Sequence, residues 1–247
     1  MTTRSLFILF VAITVFGAGC SGGTAPPSSI DVAAAAKSAL DAKADNELKL
    51  YEQMRSGGSW DLAISLGDEL LKKYPGTAAA AQVQKTIADV RAKAASQLEA
   101  RRLARLWAYN AVSEGNGTQY TAALASRQPL KAADAKKAAR VRLILRQHPQ
   151  WGQSVYLLLD NATFDCRNGC ATLSVRFDEA KAERMKATIP PGGEPALFID
   201  DDRGFIAKMQ DAKAVSIDVT VKGVGDETVE FEVGGYDASK LPNKPKK

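Results

Sequence analysis

The sequence predicts an α+β protein: an N-terminal helical hairpin or three-helix unit, followed by an antiparallel β-sandwich with one short helix. Two observations carry this. In the front of the chain, Trp60, Ala63, Ile64, Gly67, Leu70, Leu71 and Tyr74 recur at helical spacing, the stripe of a helix that buries one face. From Leu106 the period changes to two, as in Val215, Ile217, Val219 and Val221, the alternation of strands with one face on a core. With 247 residues, 45% hydrophobic and 25% charged, the composition excludes wholesale disorder and a multi-span membrane protein. Lys and Arg number 33 against 28 Asp and Glu, a net charge of +5. The excess is spread along the chain, so no nucleic-acid partner is expected.

The elements begin after an address. Arg4 supplies a positive start, Leu6–Phe16 is an unbroken apolar run, and Gly17-Ala18-Gly19 leads into Cys20. Such a run is about 16 Å long as a helix, half a bilayer core, which suits a signal peptide and not a stable membrane span. Small residues followed by Cys resemble the lipobox of bacterial lipoproteins, with Gly17 where that family usually carries Leu. The resemblance implies a signal peptide over 1–19 and palmitate-type acylation at Cys20. It also implies an outer-membrane position facing the periplasm of a Gram-negative cell, since Ser21 and not Asp follows the Cys. Several acyl chains at ~0.8 kcal/mol per buried CH₂ hold a protein to a bilayer almost irreversibly. Residues 20–29 (CSGGTAPPSS) read as a lipidated Cys with a Gly/Pro/Ser tether.

Residues 30–105 read as the helical unit. Asp31–Arg55 places Leu40, Ala44, Leu48 and Tyr51 near helical spacing, and Gly57-Gly58 ends it. Ser59 is positioned to cap the second helix through its hydroxyl, and Tyr74-Pro75-Gly76 stops that helix. A third helix carries Val83, Ile87, Val90, Ala94 and Leu98 on one face and runs to about Arg105. Arg101, Arg102 and Arg105 fall in its last turns, where cations complement the helix dipole. The run from Trp60 to Thr77 resembles a tetratricopeptide-type helix pair, with Ala63 and Gly67 small enough for close helix approach. No second copy is visible at that family's period, so the resemblance implies a single helical unit and not an array.

Residues 106–240 read as the β-sandwich, with eight strands expected. These are an alternating run around Trp107–Ala111, then Thr118–Leu124, Val141–Leu145, Val155–Leu159, Leu173–Phe177, Ala196–Ile199, Val215–Val221 and Thr228–Val233. Gln128–Arg140 reads as a loop or short helix, and Phe205–Ala212 as one helix over a sheet edge or end. Residues 241–247 form a basic tail. The layout is similar to the small β-sandwich of some secreted accessory proteins, including those of type VI secretion systems. That similarity implies a fold and no functional residue.

Candidate chemistry is sparse. Cys166 and Cys170 flank Asn168-Gly169, the strongest turn signal in the chain. In an oxidising compartment this reads as a disulfide stapling a hairpin tip. A C-x₃-C pair is not the redox C-x₂-C spacing, and no second Cys/His pair completes a zinc site. His148, the single histidine, reads as a solvent-facing loop residue, and Asp200-Asp201-Asp202 as a solvated turn. An acid/base pair would have to come from Asp165, Asp178 or Asp200. No metal, cofactor or catalytic residue is expected. Trp60, Tyr74, Trp107, Tyr109, Trp151 and Tyr156 are the candidates for a partner or ligand surface, although aromatic side chains in strands more often fill cores. The reading is a non-enzymatic lipoprotein, bound to the membrane through its anchor and to an envelope protein partner. The alternative is a periplasmic ligand-binding protein with a pocket in or beside the β-sandwich. Oligomeric state is not legible.

Overall fold

A computed structural model describes residues 29–130, 139–166, 170–190 and 195–242. The signal peptide, Cys20, most of the tether, most of Gln128–Arg140, Asn168-Gly169 and the end of the basic tail lie outside the described residues. The chain forms two compact units, Met1–Ile87 and Ala88–Lys247.

In the first unit, α1 (Ser29–Ser56) and α2 (Trp60–Lys73) are followed by α3 (Ala78–Ala104), whose residues from Ala88 belong with the second unit. The helical segment itself ends at Ala104, and the first strand begins at Trp107. α2 buries Ala63, Gly67 and Leu70. Gly67 marks the close approach: a Cβ there would stand 2.8 Å from Ile87 Cδ1 and 3.1 Å from both Tyr51 and Val83. Tyr51 is fully buried, its hydroxyl sharing a 2.7 Å hydrogen bond with Thr86. Two local expectations change. Ser59 sits at the N-cap of α2 without a side-chain cap bond, whereas Thr77 Oγ1 accepts from Ala80 N–H at the start of α3. Leu98, expected on the inner face of α3, is 69% exposed.

Beyond the end of α3, the described residues of the second unit form nine strands, one α-helix and a final 3-10 turn at Ala238–Lys240: β1 (Trp107–Glu114), β2 (Gly117–Ala125), β3 (Val141–His148), β4 (Gly152–Leu159), β5 (Thr172–Phe177), β6 (Glu183–Thr188), β7 (Ala196–Ile199), α4 (Asp202–Asp211), β8 (Val215–Val221) and β9 (Gly225–Phe231). The strands form one antiparallel sheet in the order β1-β2-β3-β4-β7-β6-β5-β8-β9. The strand missing from the sequence reading is β6. It changes partner along its length, pairing with β5 over Glu183–Lys186 and with β7 at Ala187 and Thr188. The sheet folds back on itself around a single apolar core. Leu143, Leu157 and Leu197 from one half share that core with Val175, Ile217 and Phe231 from the other, and Phe205 and Met209 of α4 join it. Across the two ends of the sheet, Arg127 N–H after β2 donates to Glu230 O of β9 at 2.7 Å.

The start of β1 is pinned from the C-terminal side. Trp107 is 5% exposed, and its indole N–H donates to the carbonyls of Val233 and Gly234. Gly235 (φ +75°) lies so close to α3 that a Cβ would stand 2.6 Å from Ala104 N, a position only glycine fills. Arg102 does not simply face solvent as a dipole complement: it bonds Glu99 and, at 2.7 Å, Glu232.

Cys166 and Cys170 form a disulfide, but it does not staple a hairpin tip. β4 and β5 are not neighbours. Phe164 bridges Val221, Asp165 N–H donates to Thr220 O, and β5 pairs with the same strand at Ser174↔Asp218. Following each register brings both Asp165 and Thr172 opposite Thr220. The bridge thus joins two segments that both pair with β8. A local turn signal could not reveal this, because the partner strand lies some fifty residues downstream.

Candidate functional site: an aromatic–arginine face on the sheet

In β3, Val141, Leu143 and Leu145 point into the core, so period-two alternation turns Arg142, Ile144, Arg146 and His148 to the opposite face. The pairing registers set Ala108, Ala123, Ile144, Tyr156 and Phe198 in one row across β1, β2, β3, β4 and β7. Ile144 is buried although it lies outside the main core cluster. Tyr156 and Phe198 stack with ring centroids 4.8 Å apart. The adjoining row holds Asn110, Thr121, Arg146 and Ser154.

Arg146 lies where these rows meet the β3–β4 turn. Its guanidinium carbon stands 5.4 Å from the Trp151 ring centroid, 5.3 Å from Tyr156 and 5.9 Å from Phe198, within cation–π range of all three. Its Nε donates to Ser154 Oγ at 3.1 Å. Among the described residues no carboxylate pairs with it. Arg142, on the same face, is instead committed to Asp160 at 2.7 Å.

Trp151 is 65% exposed and stacks on His148, centroids 3.8 Å apart and planes 12° from parallel. His148 is therefore not the solvent-facing loop residue expected: it ends β3 and is 2% exposed. Its Nδ1 accepts from the N–H groups of Gln150 and Trp151, which places the ring proton of the neutral tautomer on Nε2. That nitrogen is buried and has no hydrogen-bond partner among the described residues, with Glu114 Oε1 3.8 Å away, beyond hydrogen-bond reach. The turn's own amides and the Trp151 ring bury a residue that its polar neighbours make look exposed.

The six expected surface aromatics thus part company. Trp151 and Tyr156 meet around Arg146. Trp107 is core and leaves the candidate surface. Tyr109 is half-buried, its hydroxyl accepting from Asp237 N–H at 2.7 Å. Trp60 and Tyr74 belong to the first unit, where Tyr74 donates to Glu47; that hydrogen bond pushes the phenol above its usual value. Arg146 and Phe198 were missed. The available signal was Ile144 at an outward register between two arginines, which marks a strand whose second face is also apolar.

The carboxylates singled out earlier take part in local structural hydrogen bonds. Asp178, at φ +48°, accepts from Lys213 and Ala214 N–H; Asp200 accepts from Thr188 Oγ1. Asp201 is the N-cap of α4, accepting from Gly204 N–H, so the aspartate run is a helix start and not a plain turn. Among the described residues no group of three His, Cys, Asp or Glu side chains is placed to hold a metal ion. None of the described helices is long and apolar enough to cross a membrane. Beside the aromatic face, a surface hollow of about 540 Å³ is lined by Arg140, Arg142, Leu158 and Asp160.

Fold and site define an α+β protein whose antiparallel sheet carries an aromatic–arginine cluster, half-buried except for the exposed Trp151. No protein-family model matches the chain, and no curated protein matches it. Among solved structures, the crystal structure of invasion associated protein B from Bartonella henselae is similar to 53% of this chain and 85% of that one. The two share 15% identity, with a TM-score of 0.35, and at that level the likeness carries no functional argument.

Proposed function

We propose that the protein is a non-enzymatic binding module of the cell envelope, anchored by lipid at Cys20 on the periplasmic face of the outer membrane. The supporting observation is the cluster of Trp151, Arg146, Tyr156 and Phe198 on the sheet. Trp, Tyr and Arg are the residue types that dominate protein–protein hot spots, where single truncations cost ~2 kcal/mol or more. An indole held outward on a stacked base, 65% exposed, meets a partner with little rotamer entropy left to lose. A Cys166–Cys170 bridge is consistent with an oxidising compartment. The tetratricopeptide-like helical unit serves in this reading as a spacer or second docking face.

Two measurements test this. Radiolabelled palmitate enters the wild-type protein but not Cys20→Ser, and the variant leaves the membrane fraction. A photo-crosslinking amino acid at position 151 captures an envelope protein in intact cells, and the same probe at exposed Leu62 captures it less. Label absent from the wild type and unchanged fractionation refute the anchor; equal capture from both positions refutes the face. The ligand-binding alternative is favoured by the hollow at Arg140 and Arg142, which lies beside the sheet and not inside its core.

A further inference from the structure

Resting on that reading of the sheet face, we infer that its partner is a peptide segment carrying a carboxylate flanked by apolar or aromatic side chains, and that Arg146 is the carboxylate's partner. Three observations on charge and geometry lead there. First, the Arg146 cation is ringed by Trp151, Tyr156 and Phe198 and has no carboxylate among the described residues. Several other cations of this unit are paired: Arg102 with Glu99 and Glu232, Arg142 with Asp160, Lys208 with Glu183. Second, Ser154 takes only Nε. The N–H groups of both Nη atoms have no acceptor among the described residues and form a planar fork that suits two carboxylate oxygens. The rings and Ser154 already fix the side chain, so pairing costs little further ordering.

Third, the charge pattern around Arg146 orients such a ligand. Glu114, half-exposed beside His148, repels a carboxylate placed beyond Trp151, and Asp160 cancels Arg142 on the far side. Among the described residues of this face, Arg146 has no paired carboxylate while its neighbour Arg142 does. The apolar row Ala108–Ala123–Ile144–Tyr156–Phe198 crosses five strands, about 19 Å at the usual strand spacing, which matches five or six residues of extended chain. Tyr156 and Phe198 form its high end next to Arg146, and the alanines its low end.

The test uses the full chain labelled with ¹⁵N at its tryptophans, which gives three indole N–H signals, from Trp60, Trp107 and Trp151. The probes are the peptide acetyl-Phe-Glu-Phe-amide, its Gln isostere, and phosphatidylcholine vesicles with and without phosphatidylglycerol. The Glu peptide is expected to shift the Trp151 signal alone, and to bind about tenfold or more tightly than the Gln peptide, the scale of one charge-assisted hydrogen-bond pair. Arg146→Gln removes that preference while the Trp60 and Trp107 signals stay in place, which controls for folding. Equal binding of the two peptides overturns the carboxylate assignment and leaves the protein-binding reading standing. No shift from either peptide overturns the inference, and if position 151 also captures no protein in cells, the wider reading falls separately. Trp151 responding only to phosphatidylglycerol vesicles overturns it in favour of a lipid surface.

Discussion

Removing the Cys166–Cys170 bridge tests both the fold and the reasoning about the segments it joins. The perturbation is the double variant Cys166→Ser, Cys170→Ser, compared with reduced wild type. The bridge spans a sequence separation of 4, so the closed loop is short. The chain-entropy relation for such a loop gives about 2 kcal/mol at 25 °C. For a chain of this length each kcal/mol shifts Tm by roughly 2–4 °C, so the double variant should melt about 4–8 °C lower. The loss stays near this entropic value because both flanks are independently held: Phe164 and Asp165 against β8 on one side, Thr172–Phe177 against β6 and β8 on the other. The assay is thermal unfolding followed in the near ultraviolet, with the 222 nm signal, to which helices of both units contribute, recorded beside it. A change below about 1 °C, or a loss large enough to prevent folding, would refute this account. So would a reduced wild type that melts differently from the double serine variant.

Gly67→Leu forces a branched side chain against Tyr51, Val83 and Ile87 and should cost about 1–3 kcal/mol in urea unfolding followed at 222 nm. Gly67→Ala is expected to be near neutral, because the helix-propensity gain of about 1 kcal/mol offsets a tight but yielding contact with the Ile87 tip. Trp107→Phe leaves the Val233 and Gly234 carbonyls without their donor and should cost about 1–3 kcal/mol by denaturant titration. At high pH, burial pushes the Tyr236 phenol up to about 12 from an ordinary 10.0. The unfolded chain loses that proton first, so stability declines as pH rises across the interval, read by tyrosinate absorbance beside the unfolding midpoint. At low pH the sign reverses for Glu232, whose carboxyl the Arg102 guanidinium holds below its ordinary range. Its contribution is present above that range and is lost as pH falls through the lowered value; Arg102→Gln should flatten the acid limb of a stability-versus-pH curve.

Local signals determined what could be read from the sequence. The helices were legible because stripes such as Trp60–Tyr74 and stops such as Pro75-Gly76 lie within a few turns of chain. Strands with Val and Ile on alternate positions were equally plain. β6 was not, because Glu183-Arg-Met-Lys-Ala-Thr188 offers only Met185 and Ala187 to the core, and its pairing is divided between two neighbours. The sheet order was illegible for a related reason: β4 finds β7, and β5 finds β8, across intervening elements. The candidate face inherits that difficulty. Trp151 and Tyr156 stand out as aromatic residues, but only the register brings Phe198 beside them and Arg146 between them. His148 was misjudged because burial there comes from the amides of Gln150 and Trp151 and from the indole above, none of which leaves a periodic trace.

The bridge between Cys166 and Cys170 also marks a place where cargo could be grafted. Thr163–Asp165 and Ser174–Phe177 each take their alignment from β8, so the frame on either side is held by contacts outside the segment that the two sulfurs enclose. An epitope or fluorophore-binding peptide spliced between them would be displayed on a covalently fenced pedestal, with the strands that carry it unshifted.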